Sequence, residues 1–121
     1  MFACLAAVAI AWLGLYIHNV TEFPQLSLKS PENSISTGAW ILLFLIWSVL
    51  PQNRWPSALL LGWGLISLAG AIITVLPLPI LPFTPKQSFS HYAVHVVYAT
   101  TQIPIIYLML RKLKSGSQGD T

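Results

Sequence analysis

Four apolar stretches divide the sequence of 121 residues, and their lengths most constrain its fold. They cover residues 2–17, 35–50, 57–76 and 89–110. Each approaches the roughly 20 residues that an α-helix needs to cross a hydrocarbon core of about 30 Å. Because only 7% of the residues are charged and the mean hydropathy is +0.71, little polar surface is left to face water. The sequence therefore predicts an integral membrane protein.

The predicted fold is an all-α, antiparallel bundle of four transmembrane helices. We expect spans at about 2–20, 35–51, 57–76 and 89–110, joined by short connections. They form a single membrane domain over residues 1–114, because the connections leave no room for a second domain. We expect residues 115–121, which are small or polar, to form a disordered tail. The apolar run that begins at residue 2 leaves open a start upstream of Met1.

Positive residues near the span ends predict the orientation of the bundle. One face carries four of them and the other face two, and positively charged loops favour the cytoplasmic side. The first group is Arg54, Arg111, Lys112 and Lys114, and the second is Lys29 and Lys86. We therefore expect both termini to be cytoplasmic, in a plasma (inner) membrane of the bacterial type.

A polar stripe runs along the fourth apolar stretch. His91, His95, Tyr98 and Gln102 follow one another at i, i+4, i+7 and i+11, which places them within an arc of about 60° on a helix. Polar side chains within a span usually face protein or water, because lipid cannot hydrogen-bond them. The stripe therefore predicts a polar pocket inside the bundle.

The first apolar stretch carries a matching face of small residues, Ala7, Ala11 and Gly14, which leads to His18. Glu22 follows one helical turn later. In an antiparallel bundle the end of the first span and the start of the fourth lie on the same, outer side. We therefore expect the polar side chains of these two segments to meet there.

Two cofactors suit such a group of side chains. Three imidazoles and a carboxylate are ligands that zinc, iron and copper accept, so the predicted metal ligands are His18, Glu22, His91 and His95. A haem b held by imidazoles from facing helices is the alternative. The wider predicted cofactor-binding set is His18, His91, His95, Tyr98 and Gln102. A third interpretation is structural, since His, Tyr and Gln also hydrogen-bond helices together.

The sequence leaves three classes of function open. The first is a ligand-, metal- or haem-binding protein, or an accessory subunit of a membrane complex. The second is an intramembrane metal-dependent hydrolase or isomerase that acts on a lipid-like substrate, and the third is a small oligomeric transporter. The expected partners are the lipid bilayer and other membrane subunits or further copies of the chain. The basic residues form no dense patch, so nucleic acid is not among them.

Overall fold

The computed structural model describes residues 1–117, which form four α-helices joined by loops. The helices are α1 (Phe2–Glu22), α2 (Pro31–Val49), α3 (Arg54–Ile73) and α4 (Phe89–Ser117). No β-strand occurs within these residues, so the predicted all-α class is confirmed.

The helices pack as a bundle in which α1 and α3 each contact both α2 and α4. The contacts of α4 with α1 and with α3 are the most extensive. One end of the bundle, here called the histidine end, contains residues 18–33 and 71–95. The opposite end, here called the basic end, contains residues 1–4, 47–57 and 109–115. An antiparallel four-helix bundle fits this arrangement.

Within the described residues, three helices are long and apolar enough to cross a membrane. They are α1, α3 and the part of α4 that ends at Ser115, and they indicate a membrane protein. Helix α2 is not among them, because its first two turns are rich in polar residues. Large apolar side chains are exposed on every helix, for example Ile17, Ile41, Ile66 and Ile103. Apolar surface on this scale is typical of proteins that contact lipid.

The helix boundaries differ from the predicted spans by a few residues. Helix α2 begins at Pro31 rather than near 35, because proline is well suited to the first position of a helix. Helix α3 lies three residues earlier than predicted at both ends. Helix α4 continues to Ser117, so the first three residues of the predicted disordered tail are helical. The rest of that tail, 118–121, lies outside the described residues.

Most of the buried polar side chains lie in one half of the bundle, and Ser57 near the basic end is an exception. Towards the basic end the core consists of apolar side chains, among them Trp47, Leu60, Ile105 and Met109. Towards the histidine end several polar side chains are buried instead, namely Asn19, Asn33, Ser67, His91, His95 and Gln102. Burying a polar group costs free energy unless the group is hydrogen-bonded. The half that contains most of them is therefore the candidate for a functional site.

Helices α1 and α4 approach closely where the small residues of α1 face α4. Ala7, Ala11 and Gly14 are all buried. A Cβ atom added at Gly14 would overlap Oγ1 of Thr101 and lie 2.7 Å from the Cβ of that residue. Small residues allow helix backbones to pack closely in lipid. This contact, one helical turn below His18, brings the end of α1 against α4.

We expect the substitution Gly14→Ala to destabilise the protein. Its methyl group would push α4 away from α1, and overpacking of this kind costs about 1–3 kcal/mol. Thermal unfolding in detergent micelles measures the change. Gly62→Ala in α3 is the matched control, because a Cβ at Gly62 meets nothing within 4 Å, and it should leave the unfolding temperature unchanged or higher. Equal stability of the two variants would contradict the close packing of α1 on α4.

Candidate functional site

A cluster of three histidines and one glutamate lies at the histidine end, between α1 and α4. His18 and Glu22 lie on the last two turns of α1, and His91 and His95 lie on the first two turns of α4. A spacing of four residues places each pair on one face of its helix. His91 and His95 are buried, whereas His18 and Glu22 are partly exposed. The structure thus brings together the four side chains that the sequence predicted to meet.

One contact in the cluster joins two imidazoles from different helices. Nε2 of His18 lies 3.0 Å from Nε2 of His95. The ring centroids are 4.4 Å apart and the ring planes are nearly perpendicular. This distance is that of a hydrogen bond, which needs a proton on one of the two nitrogens.

The other ring nitrogen of His95 determines which tautomer this ring adopts. Nδ1 of His95 lies 2.7 Å from the backbone carbonyl oxygen of Ala71 on α3. Because a carbonyl oxygen only accepts hydrogen bonds, Nδ1 carries the hydrogen. In the neutral ring Nε2 then carries a lone pair, and Nε2 of His18 lies 3.0 Å from it.

The same reasoning applies to His18. Its Nδ1 lies 3.0 Å from Oδ1 of Asn19, an amide oxygen that accepts a hydrogen bond. In a neutral His18 the Nε2 atom therefore also carries a lone pair. Two neutral rings in these tautomers have no hydrogen to share between nitrogens that are 3.0 Å apart, so a positive charge between the two nitrogens would stabilise their contact.

His91 is paired with Glu22 rather than with the other histidines. Its Nδ1 lies 2.7 Å from Oε2 of Glu22, a distance typical of a charge-assisted hydrogen bond. Its ring centroid is 4.5 Å from that of His95. Among the described residues, Nε2 of His91 is buried and has no hydrogen-bond partner. Buried polar atoms without a partner are uncommon, so this nitrogen is a candidate ligand for a bound group.

Tyr98 and Gln102 continue the stripe deeper into the bundle. Tyr98 is buried and its ring centroid lies 5.4 Å from that of His18, so it borders the cluster. Gln102 lies about 10 Å further along α4 than His95, at a rise of 1.5 Å per residue. Its Nε2 donates to the carbonyl oxygen of Ala11 at 3.0 Å. Gln102 therefore joins α4 to α1 below the cluster.

The metal site that the sequence predicted is not assembled in this arrangement. Within residues 1–117, no group of three or more His, Cys, Asp or Glu side chains is placed to hold a metal ion. The carboxylate of Glu22 is hydrogen-bonded to His91 and not to His18 or His95. Metal binding by His18, Glu22, His91 and His95 therefore requires a rearrangement of the cluster.

A haem held by His18 and His95 does not fit between the helices as they are packed here. The Nε2 atoms that would bind its iron are 3.0 Å apart and in direct contact. A porphyrin inserted there would separate α1 from α4 one turn above the point where Gly14 packs against Thr101. The haem alternative therefore requires the best-packed helix pair of the bundle to open.

Three residues that sequence reasoning did not single out complete the cluster. They are Asn19 and Asn33, whose side chains are hydrogen-bonded to each other, and Ala71, which contributes only its carbonyl oxygen. A signal for the asparagines was present, because both stand where an apolar stretch meets a polar loop. The role of Ala71 leaves no signal in the sequence, since any residue there would supply the same backbone atom.

In comparisons with protein-family models, curated proteins and solved structures, nothing matches this chain. Only the geometry and chemistry of the cluster itself therefore indicate a function.

We expect Glu22→Leu to destabilise the protein by about 1–3 kcal/mol, because it leaves the N–H of His91 buried without an acceptor. Chemical unfolding in micelles measures this loss. Glu32→Leu, at an exposed position in the first turn of α2, is the matched control and should change stability by about 0.5 kcal/mol or less. A Glu22→Leu variant as stable as the control would show that the pair with His91 contributes nothing.

Proposed function

We propose that this chain is a small integral membrane protein that binds a cation between His18 and His95. The observation that carries the proposal is the 3.0 Å contact of two Nε2 atoms whose rings both donate from Nδ1. A cation held between the two nitrogens would stabilise their contact. The two imidazoles thus form a cation site, with one ligand from α1 and one from α4.

The neighbouring carboxylate supports this proposal. A positive charge taken out of water is costly unless an opposite charge lies nearby. Glu22 supplies a negative charge one helical turn above His18, and its side chain is 14% exposed. Its hydrogen bond to His91 holds it beside the cluster. With one bound cation and an ionised Glu22, the cluster is close to neutral overall.

The distance favours a proton as the cation in the arrangement described. A proton shared by two nitrogens forms one N–H···N hydrogen bond, and 3.0 Å is within the range of such a bond. The pair is then one imidazole and one imidazolium, held by two acceptors, Oδ1 of Asn19 on α1 and the carbonyl oxygen of Ala71 on α3. A protein of this kind would take part in a proton-linked step of a membrane process.

A transition metal ion such as Zn²⁺ is the second candidate, and the outer partners of the rings favour it. Histidines that bind metals usually donate their other N–H to a carboxylate or a carbonyl, and all three rings here donate from Nδ1 to such acceptors. Tetrahedral zinc would separate two ligand nitrogens by about 3.3 Å, so the rings would have to move apart slightly. The partnerless Nε2 of His91 would be the third ligand after a rearrangement.

The placement in the membrane follows from the charge distribution. Arg54, Arg111, Lys112 and Lys114 belong to the basic end, and we propose that this end is cytoplasmic. The cation site then faces outward. Helix α2 packs beside α1 and α3, so we propose that it crosses the membrane with its polar first turns at the outer surface. The longest loop spans residues 74–88, so little of the chain lies outside the bundle, and a role as the cation-binding subunit of a larger membrane complex is compatible with this.

We expect His95→Leu to abolish cation binding while the protein still inserts, because leucine makes α4 more apolar. The protein is labelled with ¹⁵N-histidine, reconstituted in lipid nanodiscs without metal and examined by NMR, and Zn²⁺ is then titrated into a parallel sample. The wild type should show a proton shared between the Nε2 atoms of His18 and His95, or bind one equivalent of zinc. The variant should show neither.

Thr100→Leu is the matched control, because Thr100 lies on an exposed face of the same helix and the substitution adds the same apolar side chain. It should retain the wild-type behaviour. Binding of zinc without a shared proton would identify the metal as the occupant. Two unprotonated Nε2 atoms in a wild-type protein that takes up no zinc would refute the proposed function.

A further inference from the structure

Helix α2 reaches the histidine cluster through the side chain of Asn33. This residue lies in the first turn of α2 and is only 2% exposed. Its Nδ2 donates to the carbonyl oxygen of Ser27 at 2.9 Å, and its Oδ1 accepts from Nδ2 of Asn19 at 2.8 Å. Asn19 in turn accepts from His18. A continuous chain of hydrogen bonds thus runs from the first loop to the ring of His18.

The carbonyl oxygen of Ser27 in the first loop determines which atom donates and which accepts in each of these hydrogen bonds. The carbonyl oxygen of Ser27 is a backbone atom and only accepts, so the nitrogen of the Asn33 amide must face it. The oxygen of Asn33 then faces Asn19 and requires the nitrogen of Asn19. As a result, the oxygen of Asn19 is the atom left to face Nδ1 of His18.

The opposite orientation of Asn19 would change the cation site. With its amide reversed, Asn19 would present an N–H to His18, and Nδ1 would have to carry the lone pair. The hydrogen of the neutral ring would then lie on Nε2, directed at His95. His18 would be a donor to His95 at the point where the proposed function needs a lone pair.

We infer that Asn33 is a positioning residue, which selects the His18 tautomer that can bind the cation although it does not touch the imidazole. The inference rests on the proposed function for its purpose, but the hydrogen on Nδ1 of His18 is set by Asn19 whether or not a cation is bound. Because Asn33 belongs to α2, the packing of α2 against α1 is coupled to the tautomer of His18.

The test uses the full chain, labelled with ¹⁵N-histidine and reconstituted in nanodiscs free of metal. Long-range ¹H–¹⁵N correlation spectra report which ring nitrogen of His18 carries the hydrogen. We expect Nδ1 to carry it in the wild type. Asn33→Leu removes the acceptor for Asn19, so His18 should populate the Nε2–H tautomer. The affinity for Zn²⁺, where the wild type binds it, should fall by about 10- to 100-fold, as for other outer partners of metal-binding histidines.

Two further variants separate positioning from a structural role. Asn33→Asp keeps an oxygen that accepts from Asn19 and loses the donor to Ser27, so it should keep the wild-type tautomer of His18. Ser36→Ala removes a different buried polar group of α2, whose Oγ has no hydrogen-bond partner among the described residues, and it should also leave the tautomer unchanged.

An unchanged tautomer in Asn33→Leu overturns the inference. So does a shift to Nε2–H in Asn33→Asp or in Ser36→Ala, which would show that any disturbance of α2 has the same effect. If Asn33→Leu does not fold, Asn33→Ala removes the same acceptor with a smaller side chain and is judged by the same criterion. A changed tautomer in a protein that binds no cation would support the inference and refute the proposed function.

Discussion

The close packing of α1 on α4 is the contact on which the cluster depends. It is possible because α1 presents Ala7, Ala11 and Gly14 to α4, and Gly14 leaves space for the side chain of Thr101. A larger residue at this level would move His18 away from His95. The 3.0 Å contact between the two imidazoles, and any cation between them, therefore depends on the absence of a single methyl group.

Most of the polar groups buried towards the histidine end satisfy one another, although Nε2 of His91 has no partner among the described residues. Glu22 pairs with His91, Asn19 with Asn33, and His95 with a backbone oxygen of α3. Partners from all the helices of residues 2–117 contribute to this network, so it ties them together at the histidine end. The apolar half supplies ordinary packing through Trp40, Leu60 and Ile105. Stability and chemistry thus come from different halves of the same helices.

Much of the cluster was predictable, because helical periodicity follows directly from residue spacing. The intervals between His91, His95 and Tyr98 place these residues on one face of any helix, and so does the interval between His18 and Glu22. The helix ends were less predictable, as Pro31 and Ser117 show, because capping and packing decide them. The haem and the four-ligand metal site could not be assessed from spacing, which says nothing about the distance between two helices.

The sequence alone determined the helical class, the membrane-compatible apolar stretches and the faces on which the polar side chains lie. These properties depend on local geometry and on residue chemistry, both of which are written along the chain. The tertiary structure decided that Glu22 takes His91 as its partner, that Ala71 receives the hydrogen bond of His95, and that α2 reaches His18 through Asn33. Hydrogen bonds between helices depend on depth, rotation and separation, and these arise only when the whole bundle packs.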